Sequence, residues 1–200
     1  MTLEINSALV KELRQKTGAG MMNCKKALQE TNGDFDEAIK ALRQKGLASA
    51  DKKVDRKAIE GIVSSYIHTG GKIGVLVEVN CETDFVARHT DFQDFVKNLA
   101  MQIAASPEVI YISINDIPEE IFLAEKEVEL KKDDLSNKSD EIKEKIILGR
   151  VEKTLKTLSL LNQPFVRDPN ITVEELIKGQ ISTFGENIKI SRFTRYMLGN

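Results

Sequence analysis

The chain has 200 residues, a hydrophobic share of 41%, a charged share of 30% and a formal net charge of −2. These values predict a soluble globular protein of one domain, or of one domain with a small satellite, and argue against a disordered tail. No apolar run approaches the roughly 20 residues of a membrane helix, and no signal or transit peptide is visible at the N-terminus.

The two cysteines and the charge distribution narrow the classes of function further. Cys24 and Cys81 form no C-x-x-C motif, so we expect neither a disulfide framework nor a zinc site, but two core thiols in a reducing compartment. Residues 1–57 carry a net charge of +4 and the remainder −6. This weak basic character does not predict DNA binding; it fits either attraction to an acidic protein surface or ordinary solvated helix faces.

The first 46 residues predict a bundle of three short helices. Ser7 is expected to cap the first helix, and the second is predicted from about Met22 to Glu30. Asp34 is expected to begin the third helix and Gly46 to end it. So small a bundle buries little apolar surface, which favours a role as a compact docking head.

A second, larger unit is predicted to follow a linker. Residues 49–57 (SADKKVDRK) are polar and charged, and predict a linker or an exposed helix end. We therefore expect a head at 1–48, the linker at 49–57 and a core at 58–200. Two β-rich runs flank TGG (69–71) and predict a β-hairpin. Because the second run is almost wholly apolar, helices are expected to cover one face of the sheet.

Helices dominate the predicted middle of the chain. An apolar stripe from Thr90 to the stop signal at Pro107 predicts one helix, and another is expected from Pro118 to about Lys132. Between them VIYISI (109–114) predicts a short strand. The run KKDDLSNKSDE (131–141) predicts a solvated loop before a long helix.

The last third of the sequence predicts a return to the sheet. On the long helix, Ile142 and the apolar positions that follow it are expected to face the core. The segment NQPFVRDPN (162–170) is expected to be irregular. Thr172 is expected to open a short helix. NIKISRFTRYML (187–198) predicts a closing strand added to the hairpin. The predicted core is thus α+β, with a small antiparallel sheet of about three strands packed by helices.

No group of residues in the sequence indicates catalysis. His68 and His89 lack the spacing of a metal-binding helix motif, and no P-loop, nucleophile elbow or dinucleotide fingerprint occurs. We therefore expect no enzyme activity, no cofactor and no bound metal. Tyr66 and Phe193 could stack on RNA bases, but neither lies in an RNA-binding motif, so direct nucleic-acid binding is not expected.

The stretch NCETDFVARHTDF (80–92) is the candidate site. It places Asp84 beside Phe85 where an apolar run, 73–79, ends. One interpretation is an acidic turn followed by an aromatic core anchor. The other is that the acid and the ring are presented to a partner outside the chain.

Four segments of the chain resemble elongation factor Ts, the guanine-nucleotide exchange factor of elongation factor Tu, in its bacterial form. They are LVKELRQKTGAGMMNCKKAL (9–28), EVNCETDFVAR (78–88), GRVEKTLKTLSLLNQPFV (149–166) and ENIKISRFTRYMLG (186–199). They occur in the order of the family and span the chain. The resemblance implies a UBA-like head, a linker and an α+β core.

The resemblance also implies a role for the candidate site. Thr83, Asp84, Phe85 and Val86 would dislocate Mg²⁺ from elongation factor Tu and so promote the exchange of GDP for GTP. Phe85 would act as a wedge and Asp84 through polar contacts beside it.

On the head, the resemblance implies a second contact with the same partner. Lys11 and Arg14, on one face of the first helix, and Met21 and Met22 would bind it, with one of the two methionines in the core. Asn23 stands where the family usually has Asp, and both residues cap helices well.

The remaining implications concern assembly and compartment. A single hairpin and a single TDFV resemble the short members of the family, which implies a homodimer through the core and no extra C-terminal module. The resemblance and the richness in Ile, Lys and Asn favour a bacterial-type cytoplasm or a plastid stroma, and no association with a membrane. The alternative is a UBA-like adaptor that tethers a partner without changing its nucleotide state.

Overall fold

The structure is a computed structural model that describes residues 6–132 and 139–199. It combines helices with short strands, which confirms the predicted α+β class. The loop predicted at 131–141 lies largely outside the described residues. The elements are α1 Ser7–Thr17, α2 Met21–Glu30, α3 Phe35–Asp51, β1 Glu60–Ile67, β2 Ile73–Cys81, α4 Asp84–Arg88, α5 Thr90–Ala105, a 3₁₀ turn Ile114–Asp116, α6 Glu119–Leu130, α7 Asp140–Leu158, β3 Pro164–Phe165, β4 Asp168–Thr172, α8 Val173–Phe184 and β5 Lys189–Met197.

By its contacts the chain divides into two compact units. The first comprises Met1–Val63, Glu78–Val96 and Glu175–Ser191, and the second comprises Ser64–Val77, Lys97–Glu174 and Arg192–Asn200. Among the residues that the structure describes, no helix is both long and apolar enough to cross a membrane.

The three N-terminal helices form as expected, with two differences at their ends. The cap of α1 is Asn6, whose side chain accepts a hydrogen bond from the Ala8 N–H, so Ser7 is the first helical residue and not the cap. Gly18, at φ +68°, ends α1. The third helix does not end at Gly46 but continues to Asp51, because nothing at Gly46 requires a left-handed backbone.

Apolar residues that recur every three or four positions hold these helices together. Leu13, Leu28 and Ala38 are fully buried, one on each helix. The helices also contact α8 within the first unit. Arg43 pairs with Glu175 at 2.8 Å and Lys178 with Asp51 at 2.9 Å.

The main sheet has the strand order β1-β2-β5, so the closing strand is added to the hairpin as predicted. The hairpin turn is closed by the bond from the His68 N–H to the Ile73 carbonyl, at 2.9 Å. On β2, alternate side chains point into the core, as expected for a sheet covered on one face. These buried residues are Val75, Val77, Val79 and Cys81.

The second unit contains the packed helices α6 and α7. Three predictions for this unit are wrong. Residues 109–114 do not form a strand, because only an isolated bridge joins Tyr111 to Ser159. Residues 162–170 are not irregular but contain the two-stranded sheet β3–β4. Ile142 is half exposed and not inward, because the buried stripe of α7 begins only at Ile147 and continues with Val151 and Leu155.

Gly61 on β1 lies too close to the backbone of β2 to carry a side chain. Its φ is +140°, and a Cβ there would lie 2.2 Å from the Val79 carbonyl oxygen and 2.7 Å from the Asn80 Cα. We expect Gly61→Ala to lower the free energy of unfolding by about 3 kcal/mol, because both the backbone angle and the overlap oppose a side chain. Urea denaturation measures this change.

Gly149→Ala, in the middle of α7, is the matched control. A Cβ at Gly149 meets nothing within 4 Å, so alanine should raise stability by up to ~1 kcal/mol through its better helix propensity. Equal stability of the two variants would contradict this description of the β1–β2 contact.

Candidate functional site

Phe85 is the most exposed large apolar side chain among the described residues, at 83% exposure. It lies in the first turn of α4, a five-residue helix that begins three residues after the end of β2. Thr83 caps this helix, with its hydroxyl oxygen accepting the Val86 N–H at 3.5 Å. The core position is taken instead by Phe92, which is fully buried and packs against Phe95 and Phe184.

The Glu186 carboxylate holds the turn that leads into α4. One of its oxygens accepts the backbone N–H groups of Glu82 and Thr83, each at 3.0 Å. The other accepts the Thr83 hydroxyl at 2.6 Å. Because Glu186 lies just before β5, about 100 positions along the chain, this contact joins two distant segments of the first unit.

A second set of bonds runs in the opposite direction. The Glu82 carboxylate accepts the Asn187 N–H at 2.6 Å and lies 3.5 Å from the Arg56 guanidinium. The Asn187 side chain, itself buried, donates to the backbone carbonyls of Val54 and Arg56. We call Glu82, Thr83, Glu186 and Asn187 the clasp. It fastens the turn before α4 both to the start of β5 and to the segment that follows α3.

The remaining predicted residues of the site lie on α4 itself. Asp84 is half exposed and pairs with Arg88 one turn later at 2.9 Å. A pair this exposed contributes little to stability. Val86 is partly buried, and its carbonyl accepts the His89 N–H that ends the helix.

Cys81 directly precedes two residues of the clasp, Glu82 and Thr83. Its thiol is buried and donates to the Thr83 carbonyl oxygen at 3.1 Å. Burial raises the pKa of this thiol to about 11, and the nearby negative charge of Glu186 adds to the shift. The thiolate is therefore scarce at neutral pH, which fits the prediction of an unreactive core cysteine.

The predicted head residues cluster on one surface of α1 and α2. Lys11, Arg14 and Met21 line a shallow groove of about 700 Å³, whereas Met22 lies outside it. The expectation that one methionine belongs to the core is wrong, because Met21 is 48% and Met22 73% exposed. Both follow Gly20, and the buried positions of α2 are taken by Cys24, Ala27 and Leu28.

Sequence reasoning did not single out the clasp. Glu82, Glu186 and Asn187 all lie in segments that resemble the family, but the sequence predicts no role for any of them. Their partners lie more than 100 positions away, and no local spacing marks such a contact. The sequence offers only two polar residues directly before β5, and the structure buries Asn187 and partly buries Glu186.

Comparison with known proteins identifies the class. Residues 2–200 match the family model described as elongation factor Ts. The chain is 62% identical over 199 residues to the chloroplastic elongation factor Ts of Rhodomonas salina, covering 100% of this chain and 91% of that protein. It is 62% identical over 196 residues to elongation factor Ts of Synechococcus elongatus, covering 98% and 89%. For that of Rippkaea orientalis the identity is 63%, with 98% and 79% covered.

The protein is therefore a translation elongation factor. More narrowly, the chain belongs to the elongation factor Ts family, which confirms the resemblance found in the sequence.

The buried state of Cys81 can be tested by its reactivity. At pH 8 the thiolate fraction should be about a hundredfold below that of a thiol with a pKa near 9.0, so alkylation by iodoacetamide should be very slow in the native protein. Mass spectrometry after timed quenching measures this rate. Urea-unfolded protein is the control, in which both cysteines should react at the ordinary rate; rapid labelling of native Cys81 would contradict the burial described.

Proposed function

We propose that this protein binds elongation factor Tu in its GDP-bound state and promotes the exchange of GDP for GTP. The observation that supports this most strongly is the exposure of Phe85 on the short helix that follows β2. An aromatic ring in water is unfavourable unless it is used in a contact, because burying it is worth about 2 kcal/mol or more. The family of the chain is consistent with this function.

The exchange factor lowers a kinetic barrier and leaves the equilibrium between GDP and GTP unchanged. A translational GTPase holds GDP through backbone amides around the phosphates and through Mg²⁺. A protein that binds the nucleotide-free GTPase better than the nucleotide-bound one must, by reciprocity, weaken the hold on the nucleotide. Each tenfold of this coupling requires about 1.4 kcal/mol from contacts of the factor itself.

In this proposal Thr83–Val86 carry the dislocation of Mg²⁺ from the partner. Phe85 inserts between elements of the partner beside its nucleotide pocket, and the area that the ring buries there supplies part of the coupling energy. Asp84 exchanges its weak pair with Arg88 for polar contacts near the metal and phosphate region. Loosening the metal removes one of the strongest attachments of the diphosphate.

The groove on the head supplies a second, independent contact. Lys11 and Arg14 present two positive charges next to the flexible thioether of Met21, a combination suited to an acidic and apolar surface. Met22, exposed beside the groove, extends the same surface. We propose that this contact retains the partner while α4 acts on the nucleotide.

The second candidate function is an adaptor that tethers a partner through the UBA-like head alone. The head groove favours it, because Lys11, Arg14 and Met21 form a complete surface without any contribution from α4. The two functions differ in whether Phe85 changes the rate of nucleotide release.

The double variant Asp84→Ala with Phe85→Ala tests the choice. We expect the maximal rate of fluorescent-GDP release from elongation factor Tu to fall by at least about a hundredfold, because the coupling energy of the ring and the acid is lost. Binding measured by calorimetry should survive in part through the head. Ile110→Ala, which removes another exposed apolar side chain, is the control and should leave the rate unchanged.

An unchanged release rate with the double variant would refute the wedge. If the wild-type protein binds elongation factor Tu but does not accelerate GDP release, the adaptor function replaces the proposed one.

We also propose that the factor forms a homodimer through the sheet and works in a bacterial-type cytoplasm or a plastid stroma, without binding nucleic acid directly. Support for the dimer comes from the second unit, where four apolar side chains on or next to strands are exposed: Ile67, Leu76, Tyr196 and Leu198. The neighbouring Arg195 points toward the end of α5, which places Tyr196 on the opposite face of its strand.

Light scattering after gel filtration tests this assembly. The wild-type mass is expected to be twice 22.4 kDa at micromolar concentrations, and Leu76→Glu with Tyr196→Glu should reduce it to the monomer, because two buried charges would oppose association. Ile110→Glu serves as the control for an added surface charge. A monomeric wild-type protein would contradict the dimer and leave the exchange proposal intact.

A further inference from the structure

The Glu186 carboxylate is committed to three donors of one turn. It accepts the N–H groups of Glu82 and Thr83 and the Thr83 hydroxyl, all within 3.0 Å. Hydrogen bonds to an ionised acceptor are stronger than neutral ones, and partly buried donors that lose such an acceptor carry a desolvation penalty. A carboxylate with this set of bonds fixes the local path of the backbone.

That backbone leads directly into the helix that carries Phe85. The same Thr83 hydroxyl that donates to Glu186 accepts the Val86 N–H as the cap of α4. The position of the cap therefore depends on Glu186, and the direction of a five-residue helix depends on its cap. Helix α4 is too short to hold its own orientation by internal hydrogen bonds.

We propose that Glu186 is a positioning residue for nucleotide exchange: its carboxylate sets the angle at which α4 presents Phe85 to the GTPase. This inference rests on the proposed function and names a residue outside TDFV on which that function depends. Glu186 touches neither the partner nor the nucleotide in this proposal. It acts through Thr83.

Preorganisation is the physical reason that such a residue matters. An exposed ring on a mobile turn would lose conformational entropy on insertion and would also sample contacts with its own surface. A ring that is held in place loses less conformational entropy on insertion and makes fewer competing contacts with its own surface. Loss of Glu186 should therefore lower the maximal release rate, whereas the concentration of factor at half-maximal rate, which includes the head contact, should change less.

The clasp extends this positioning to the base of the head. Glu82 accepts the Asn187 N–H, and the Asn187 side chain donates to the carbonyls of Val54 and Arg56, just after α3. Within the first unit, one cluster thus anchors both the turn before α4 and the chain that leaves the head. The two proposed contacts with the partner share this anchor.

The experiment measures GDP release from elongation factor Tu over a range of factor concentrations for four proteins. They are the wild type, Glu186→Ala, Phe85→Ala and the double variant Phe85→Ala with Glu186→Ala. We expect Glu186→Ala to lower the maximal rate at least about tenfold, and to change the rate less than twofold when Phe85 is already alanine, because residues that act as one unit are not additive.

Two further variants separate positioning from general stability. Glu186→Gln keeps the shape and one carbonyl oxygen for the two N–H donors, so it should recover most of the rate. Glu144→Ala, which removes an exposed carboxylate from α7, should leave the rate unchanged. Melting temperatures are measured for every variant. If Glu186→Ala does not fold, Glu186→Asp takes its place, because its shorter side chain withdraws the carboxylate from the turn and should lower the rate severalfold.

The outcomes distinguish this inference from the proposed function. A normal maximal rate for Glu186→Ala or its replacement, or an equal loss with and without the Phe85 ring, overturns the positioning role. If Phe85→Ala alone leaves the rate unchanged, the wedge itself fails, and the positioning role fails with it.

Discussion

A single carboxylate joins the parts of the molecule that matter most for its proposed activity. The Glu186 carboxylate accepts three hydrogen bonds from Glu82 and Thr83, and the Glu82 carboxylate accepts one from the Asn187 N–H. These bonds fasten the end of β2 to the beginning of β5 at the point where the chain leaves the sheet for α4. The buried thiol of Cys81, kept protonated by its surroundings, completes the base of this turn. Phe85, which follows this turn, is therefore exposed to solvent on a backbone that these hydrogen bonds hold in place.

Two aromatic rings on neighbouring helices, Phe85 and Phe92, have opposite environments. Phe92 is buried against Phe184, as an aromatic on an amphipathic helix should be, while Phe85 extends into solvent. Leaving the Phe85 ring in water forgoes about 2 kcal/mol of hydrophobic stabilisation in the free protein. In the proposed mechanism this energy becomes available only in the complex, where it contributes to opening the nucleotide pocket of the partner.

Local patterns in the sequence predicted much of the fold and only part of the site. The spacing of Phe92, Val96 and Leu99 predicted the buried stripe of α5, and two β-rich runs around TGG predicted the hairpin. The strand predicted at 109–114 was wrong because an apolar, β-branched run forms a strand only when a neighbouring strand pairs with it. The clasp could not be predicted, since its bonds join residues about 100 positions apart and arise only once β5 lies beside β2.

Amide hydrogen exchange at Glu82 and Thr83, measured by NMR on the full chain, tests the rigid presentation of Phe85 most directly. Both N–H groups are bound to Glu186 in the structure, so they should exchange at least about a hundredfold more slowly than in an unstructured peptide. Exchange of these two amides at the rate of an open loop would show that the turn is not held, and that α4 has no fixed direction in which to present its ring.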